Sequence, residues 1–159
     1  MQIRTATMAD LPVLTAIEAA CFPAAEAATE KDFAARLAAY PNHFWLLEAD
    51  DGTVASFING LVTDEPDLRD EMYADASFHN ENGAWQMIFG VNTLPEYRRR
   101  GLAGRVMERV IADARAQGRK ACRLSGGATA ALIGQRSCQK RWKKICWPKC
   151  SDCVRRTIT

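Results

Sequence analysis

The stretch that most limits how this chain can fold is Trp85-Gln86-Met87-Ile88-Phe89-Gly90-Val91, followed a few residues later by Arg98-Arg99-Arg100-Gly101-Leu102-Ala103. The first run is nearly all apolar, the pattern of a central strand buried on both faces, and the strand is expected to run from Trp85 to Thr93. The second opens an amphipathic segment in which Leu102, Val106, Val110, Ile111 and Ala114 recur at helical spacing until Gly118, a natural C-cap. A buried strand, a basic glycine-containing turn and a helix start, in that order, make an anion site. Unpaired backbone N–H groups converge at the helix N-terminus, the helix dipole favours negative charge there, and the arginines add full charges. Gly101 lets the main chain approach a phosphate closely, and Ala103 keeps the next turn thin.

The elements around this core follow from local signals. Ile3-Arg4-Thr5-Ala6 reads as a first strand. Thr7-Met8-Ala9-Asp10 has the form of a capping box, and Leu11, Leu14, Ile17 and Cys21 then line a first helix that ends near Phe22-Pro23. After the small-residue loop Ala24-Ala25-Glu26-Ala27-Ala28, Thr29-Glu30-Lys31-Asp32 repeats the cap, and Phe33, Leu37 and Tyr40 mark a second helix stopped by Pro41. Phe44 to Ala49 and Thr53 to Val62 are hairpin strands around Asp50-Asp51-Gly52, with a bulge or bend at Asn59-Gly60. Thr63 to Gly83 is a polar, acidic insertion with a helical turn around Leu68 to Tyr73, and Lys120 to Leu124 begins another strand. An α/β (α+β) architecture is expected, with helices flanking a mixed, mostly antiparallel sheet.

At 159 residues the chain is one domain's worth, but its net charge of +2 hides an asymmetry. Ser125 to Thr159 carries eight Lys or Arg against Asp152 alone, a net +7, which leaves −5 for the rest. Four of the six cysteines (Cys138, Cys146, Cys150, Cys153) lie in the same segment, and Tyr and Phe vanish after Tyr97. The chain therefore divides into a core, 1–124, and an atypical basic tail, 125–159. No apolar run approaches the ~20 residues that span a bilayer, and Met1-Gln2-Ile3-Arg4-Thr5 lacks a basic-then-apolar leader. A cytoplasmic protein with no membrane partner is expected.

The spacing Arg-x-x-Gly-x-Ala at Arg98 to Ala103, set behind a strand and Pro95-Glu96-Tyr97, resembles the pyrophosphate-binding motif of the GNAT superfamily of acetyl-CoA-dependent N-acetyltransferases. The element order through Leu124 is similar to that fold from its first strand to its fifth. Cys21-Phe22-Pro23, Thr29-Glu30-Lys31-Asp32-Phe33, Phe57-Ile58-Asn59-Gly60 and the acidic insertion together resemble the arylalkylamine (serotonin) N-acetyltransferase-like branch. The resemblance implies that Phe89, Gly90 and Val91 bond the pantetheine arm of acetyl-CoA by their backbone, and that Arg98, Arg99, Arg100, Gly101, Leu102 and Ala103 hold its pyrophosphate. A small primary amine would enter from the other side, past Phe22 and Pro23, with Phe57 and Trp85 as further apolar walls, and attack the thioester directly. A peptide or protein N-terminus is the alternative acceptor, and a CoA-binding domain of impaired catalysis the alternative to an enzyme.

Two departures from the branch stand out. The positions of its proposed proton-relay histidines fall at Met87 and Phe89, leaving Glu81, His79, Asp75 and Tyr73 of the insertion as candidate bases, with His43 read as a turn residue. After Leu124 the family's general-acid Tyr, Gly-Phe turn and last two strands have no counterpart, which motivates the hypothesis of an out-of-frame or replaced ending. An uncovered sheet edge would invite pairing with a second copy. The tail's thiols suit zinc, but with one Cys-x-x-Cys pair and no nearby His no metal is expected. Its charge, with Trp142 and Trp147, would give only nonspecific contact with nucleic acid.

Overall fold

Both N-terminal helices start where a threonine and an aspartate three residues apart satisfy the first free N–H groups. In the computed structural model, which describes residues 1–124, the Asp10 carboxylate accepts the Thr7 N–H at 2.7 Å, and Asp32 accepts the Thr29 N–H at 2.9 Å while Thr29 Oγ1 accepts the Asp32 N–H. The first cap opens a 3₁₀ turn over Met8–Asp10, so α1 begins three residues later than the cap pattern alone indicates, at Leu11–Cys21; α2 is Glu30–Ala39. Arg4, on strand β1 (Gln2–Thr5), clamps this corner by reaching both Asp10 and Glu48 at 2.7 Å.

The remaining elements are β2 (Phe44–Glu48), β3 (Val54–Asn59), β4 (Val62–Thr63), the short helix α3 (Glu71–Ala74), β5 (Trp85–Ile88), β6 (Gly90–Thr93), α4 (Leu102–Ala116) and β7 (Ala121–Leu124). They form two sheets, β1-β2-β3-β6 and β4-β5-β7; every pairing is antiparallel except β5 with β7. The strand expected as one piece from Trp85 to Thr93 is thus two strands that belong to different sheets. The helical turn expected over Leu68 to Tyr73 forms slightly later, at Glu71–Ala74. The tail 125–159, with its four cysteines and two tryptophans, lies outside the described residues.

Helices cover both faces. On the α1/α2 side Leu14, Phe33, Leu37, Phe44, Phe57 and Met87 are fully or almost fully buried, with Phe33 packed edge-on against Phe44 and Phe57 at centroid distances of 6.1 and 6.0 Å. On the other side α4 lays Leu102, Val106, Met107, Val110 and Ile111 against Trp45, Leu47, Ile58, Ile88 and Val91. Alternation sends Trp85, Met87 and Phe89 to the first layer and Ile88 to the second, and it breaks after Phe89, since Val91 lies in the second layer. Burial of two complete apolar layers is what holds the split sheet together.

The split has an identifiable origin. On one side of it Asn59 is opposite Gly90, and on the other Val62 is opposite Gln86: three steps along one strand against four along its partner. The extra residue is Phe89, a β-bulge whose N–H still bonds the Asn59 carbonyl at 2.8 Å. The irregularity expected at Asn59-Gly60 is therefore a bend there, and the inserted residue sits across the ladder. Gly60 passes so close to the facing strand that a Cβ would lie 1.8 Å from the Met87 carbonyl oxygen. Gly60→Ala is expected to destabilise the fold by about 3 kcal/mol or more, because the clash is with backbone and cannot be relieved by a rotamer; urea unfolding of the variant measures this, and an unchanged midpoint would contradict the tight crossing.

Candidate functional site

Past the bulge, β6 pairs among the described residues with β3 alone, along one edge. Leu94 N–H bonds the Ala55 carbonyl, so the bonded pairs of this antiparallel ladder are Ala55/Leu94, Phe57/Asn92 and Asn59/Gly90. Val91 and Thr93 fall between them and direct their backbone groups to the opposite edge. The Thr93 carbonyl accepts from Cys21 Sγ at 3.3 Å and from Arg98 Nε at 3.1 Å. The N–H and C=O of Val91 have no partner among the described residues, which end at Leu124, opposite Ile88. β6 is the last strand of its sheet among the described residues, and an open backbone donor and acceptor there mark a place where a ligand can complete the ladder.

At the head of this edge Arg98 to Gly101 wraps into α4. Arg99 and Gly101 both take positive φ, 62° and 75°, so the N–H groups of the turn point to one side; for Arg99 that conformation is strained. The first α-helical bond is Arg105 N–H to the Gly101 carbonyl, so the N–H groups from Gly101 to Gly104 have no helical acceptor, and no side chain caps the helix. A Cβ at Gly101 or Gly104 would meet nothing within 4 Å, so this turn faces open space. Arg98 is anchored to Thr93, Arg100 lies over the Tyr97 ring at 5.2 Å, and Arg99 and Arg100 are exposed. Their charges, the helix dipole and the free N–H groups converge, an arrangement that fits a phosphate-bearing ligand.

The family model for the Acetyltransferase (GNAT) family matches residues 11–132, more than three quarters of the chain. The chain belongs to that family. Three solved structures illustrate the likeness. The GphF GNAT-like decarboxylase in complex with isobutyryl-CoA is 28% identical, with a TM-score of 0.65 over 72% of this chain and 60% of that one. The loading GNATL domain of CurA from Lyngbya majuscula is 24% identical, with a TM-score of 0.67 over 75% and 61%. The ribosomal-protein-S18-alanine N-acetyltransferase from Escherichia coli is 20% identical, with a TM-score of 0.57 over 82% and 72%. The last two show the shared GNAT fold alone, and the chain spans less than two thirds of the length of the first two. No curated protein sequence matches it significantly. No helix among the described residues is long and apolar enough to cross a membrane.

The candidate bases of the insertion take different places. Glu81 Oε2 lies 2.9 Å from His43 Nε2 and 3.2 Å from His79 Nε2, and its other oxygen accepts from Arg119 at 2.9 Å. Burial pulls the Glu81 carboxyl upward, but the hydrogen bond from His43 and the neighbouring cations outweigh it and hold it below the usual range. Burial and the adjacent His43 lower His79. His43, Gln86 and Arg119 are buried, so this cluster staples the end of the insertion to the ends of β2, β5 and α4. The three ligand atoms of His43, His79 and Glu81 lie close enough for a metal. The Val62 N–H points at His79 Nδ1 (3.2 Å), however, which leaves the His79 proton on Nε2, where a metal would need a lone pair. Tyr73 stands elsewhere: its ring lies 4.7 Å from that of Phe89 and its carbonyl accepts from Arg36. Asp75 caps the turn at Ser77 and is exposed.

Of the apolar walls, Phe22 is half-buried and Pro23 exposed at the end of α1, whereas Phe57 is completely buried against Phe33 and belongs to the core; Trp85 is buried too, with Arg123 over its ring. The sequence reading missed a polar group over the bulge: Glu18, Arg36, Asn59 and Asn92 are all buried. Arg36 donates to Asn59 Oδ1 and Tyr73 O, lies 4.9 Å over the Phe89 ring, and leaves its Nε without a described partner. The signal available was Glu18, a carboxylate at the 4-then-3 spacing of Leu14 and Cys21, inside an apolar stripe.

Arg119→Ala is expected to cost about 1–2 kcal/mol at neutral pH, between exposed-pair and buried-pair figures because Arg119 is 5% and Glu81 57% exposed. Glu81 is depressed when folded, so this loss is full above its ordinary value of 4.5 and shrinks as pH falls through its lowered one. Chemical denaturation at pH 7 and pH 3.5 checks both; a loss that grows on acidification would contradict the staple.

Proposed function

We propose that this protein is an N-acyltransferase that uses acetyl-CoA to acetylate a small primary amine. The open edge at Val91, continuous with the free N–H groups and arginines of Arg98 to Gly104, carries this reading. Acetyl-CoA supplies the acetyl group as an activated thioester. The backbone of Phe89 to Val91 would hold its pantetheine arm, and Arg98 to Ala103 its pyrophosphate. Bringing amine and thioester together in one cleft supplies much of the rate, and backbone N–H groups beside the bulge stabilise the developing oxyanion.

The amine enters on the α1/α2 side, past Phe22 and Pro23, and an arylalkylamine suits that apolar rim. A peptide N-terminus is the competing acceptor, supported by likeness to the S18-alanine enzyme and to a Chaetomium thermophilum Naa20 solved with a bisubstrate analogue. A second reading, loss of carbon dioxide from a carboxylated acyl-CoA, is supported by the 28% identity to the GphF decarboxylase and by the buried cation Arg36 beside Phe89. The protein is read as cytoplasmic.

Calorimetric titration of acetyl-CoA tests the site. Binding weakened roughly 5- to 30-fold by Arg98→Ala or Arg100→Ala is expected, about 1–2 kcal/mol for each charged contact. Absence of binding by the folded protein would overturn the assignment. Thiol release dependent on amine then separates transfer from decarboxylation, which would release carbon dioxide from malonyl-CoA without any amine.

A further inference from the structure

We propose that Glu18 and Asn92 form the acceptor-amine subsite, Asn92 holding the amine nitrogen through its side-chain carbonyl and Glu18 removing the ammonium proton. The proposal rests on the acyltransferase reading and goes beyond it by assigning the base.

A carboxylate in the apolar stripe of a helix costs free energy unless something compensates it. Glu18 is buried beneath α1, and its described partners are two neutral donors: Asn92 Nδ2 on Oε2 at 2.7 Å and Ala28 N–H on Oε1 at 3.1 Å. No described salt bridge includes it; the Arg36 charge reaches it only through space. The Asn92 amide donates to the carboxylate through Nδ2, and its Oδ1 is buried with no described partner. The pair therefore presents a carboxylate beside an orphaned acceptor, and both call for N–H donors. An ammonium group supplies them.

The position suits the chemistry. Asn92 follows Val91, whose backbone faces the open edge, and one turn beyond Glu18 the Cys21 thiol ties α1 to the Thr93 carbonyl. The loop from Phe22 returns to Glu18 through Ala28 N–H, so the apolar rim and the base belong to one loop closure. Burial raises the Glu18 carboxyl above the ordinary carboxylate range, which narrows the gap to an ammonium and lets the group both take and release a proton. One ammonium proton passes to Glu18 and then to solvent. The freed lone pair forms the C–N bond as the C–S bond breaks, and the second proton lost from nitrogen goes to the departing thiolate.

The test measures thiol release by the full chain with acetyl-CoA and 2-phenylethylamine, tyramine or an alanine-initiated tripeptide, from pH 6.5 to 10. Glu18→Gln is expected to lower kcat/KM about 100-fold or more at pH 7 with acetyl-CoA affinity unchanged. The defect should shrink to under about tenfold near pH 10, where the free amine predominates. Asn92→Ala is expected to raise the amine KM about tenfold. A Glu18→Gln loss that is equal at every pH, or no loss at all, overturns the proposal while leaving the acyltransferase reading intact. Should Glu18→Gln not fold, Glu18→Asp decides: a slower enzyme that keeps the acidic limb supports the base, and a wild-type profile overturns it. A wild type that binds acetyl-CoA yet releases no thiol with any of the amines overturns both.

Discussion

One inserted residue organises this molecule. Phe89 takes a place in its strand that the facing strand does not match, and the ladder slips by one position between Asn59/Gly90 and Val62/Gln86. The strand keeps its antiparallel partner on one edge throughout. On the other edge β7 pairs with the half before the bulge, as far as Ile88 opposite Leu124, the last described residue. Past the bulge, the Val91 N–H and C=O on the edge away from β3 have no partner among the described residues. Gly60 makes this geometry attainable, since no side chain would fit between its Cα and the Met87 carbonyl. The open edge among the described residues and the tight crossing are therefore two faces of one packing constraint.

Around that edge charge is distributed by role. Exposed arginines gather at the start of α4, where the helix dipole and the free N–H groups already favour an anion. Buried polar groups gather on the opposite layer, where Glu18, Asn92, Arg36 and Asn59 interrupt an otherwise apolar core. The His43–Glu81–His79–Arg119 cluster is different in kind: almost every polar atom of it has a partner, and it joins the insertion to the sheet. Its one orphaned atom is Arg119 Nε, a donor, whereas the Glu18–Asn92 pair sets an orphaned acceptor beside a carboxylate, the character of a site for N–H donors.

Much of the architecture was legible in the chain. The Thr-x-x-Asp caps, the apolar stripes of α1, α2 and α4, the Asp-Asp-Gly hairpin and the basic turn before α4 each carry a local signal, and the structure places all of them. The bulge did not show, because register is a property of two strands and an apolar run from Trp85 to Val91 reads the same with or without a slip. The buried carboxylate did not show for a similar reason: Glu18 counts as one more polar residue on a helix until the fold puts Asn92 over it. Phe57 misled in the opposite sense, an aromatic beside a candidate cleft that packs wholly into the Phe33 cluster. Local chemistry is written in neighbours along the chain, whereas the buried polar group of Glu18, Arg36 and Asn92 is assembled from α1, α2 and β6.

The most direct measurement is residue-resolved amide hydrogen exchange with and without coenzyme A. Slowed exchange at Val91 and at Leu102 to Gly104, with the Asn92 amide already protected by its bond to Phe57 in both states, is the result expected if the ligand completes the open strand edge and the helix start together. Binding that leaves Val91 unprotected would contradict the claim that the bulge at Phe89 creates the site.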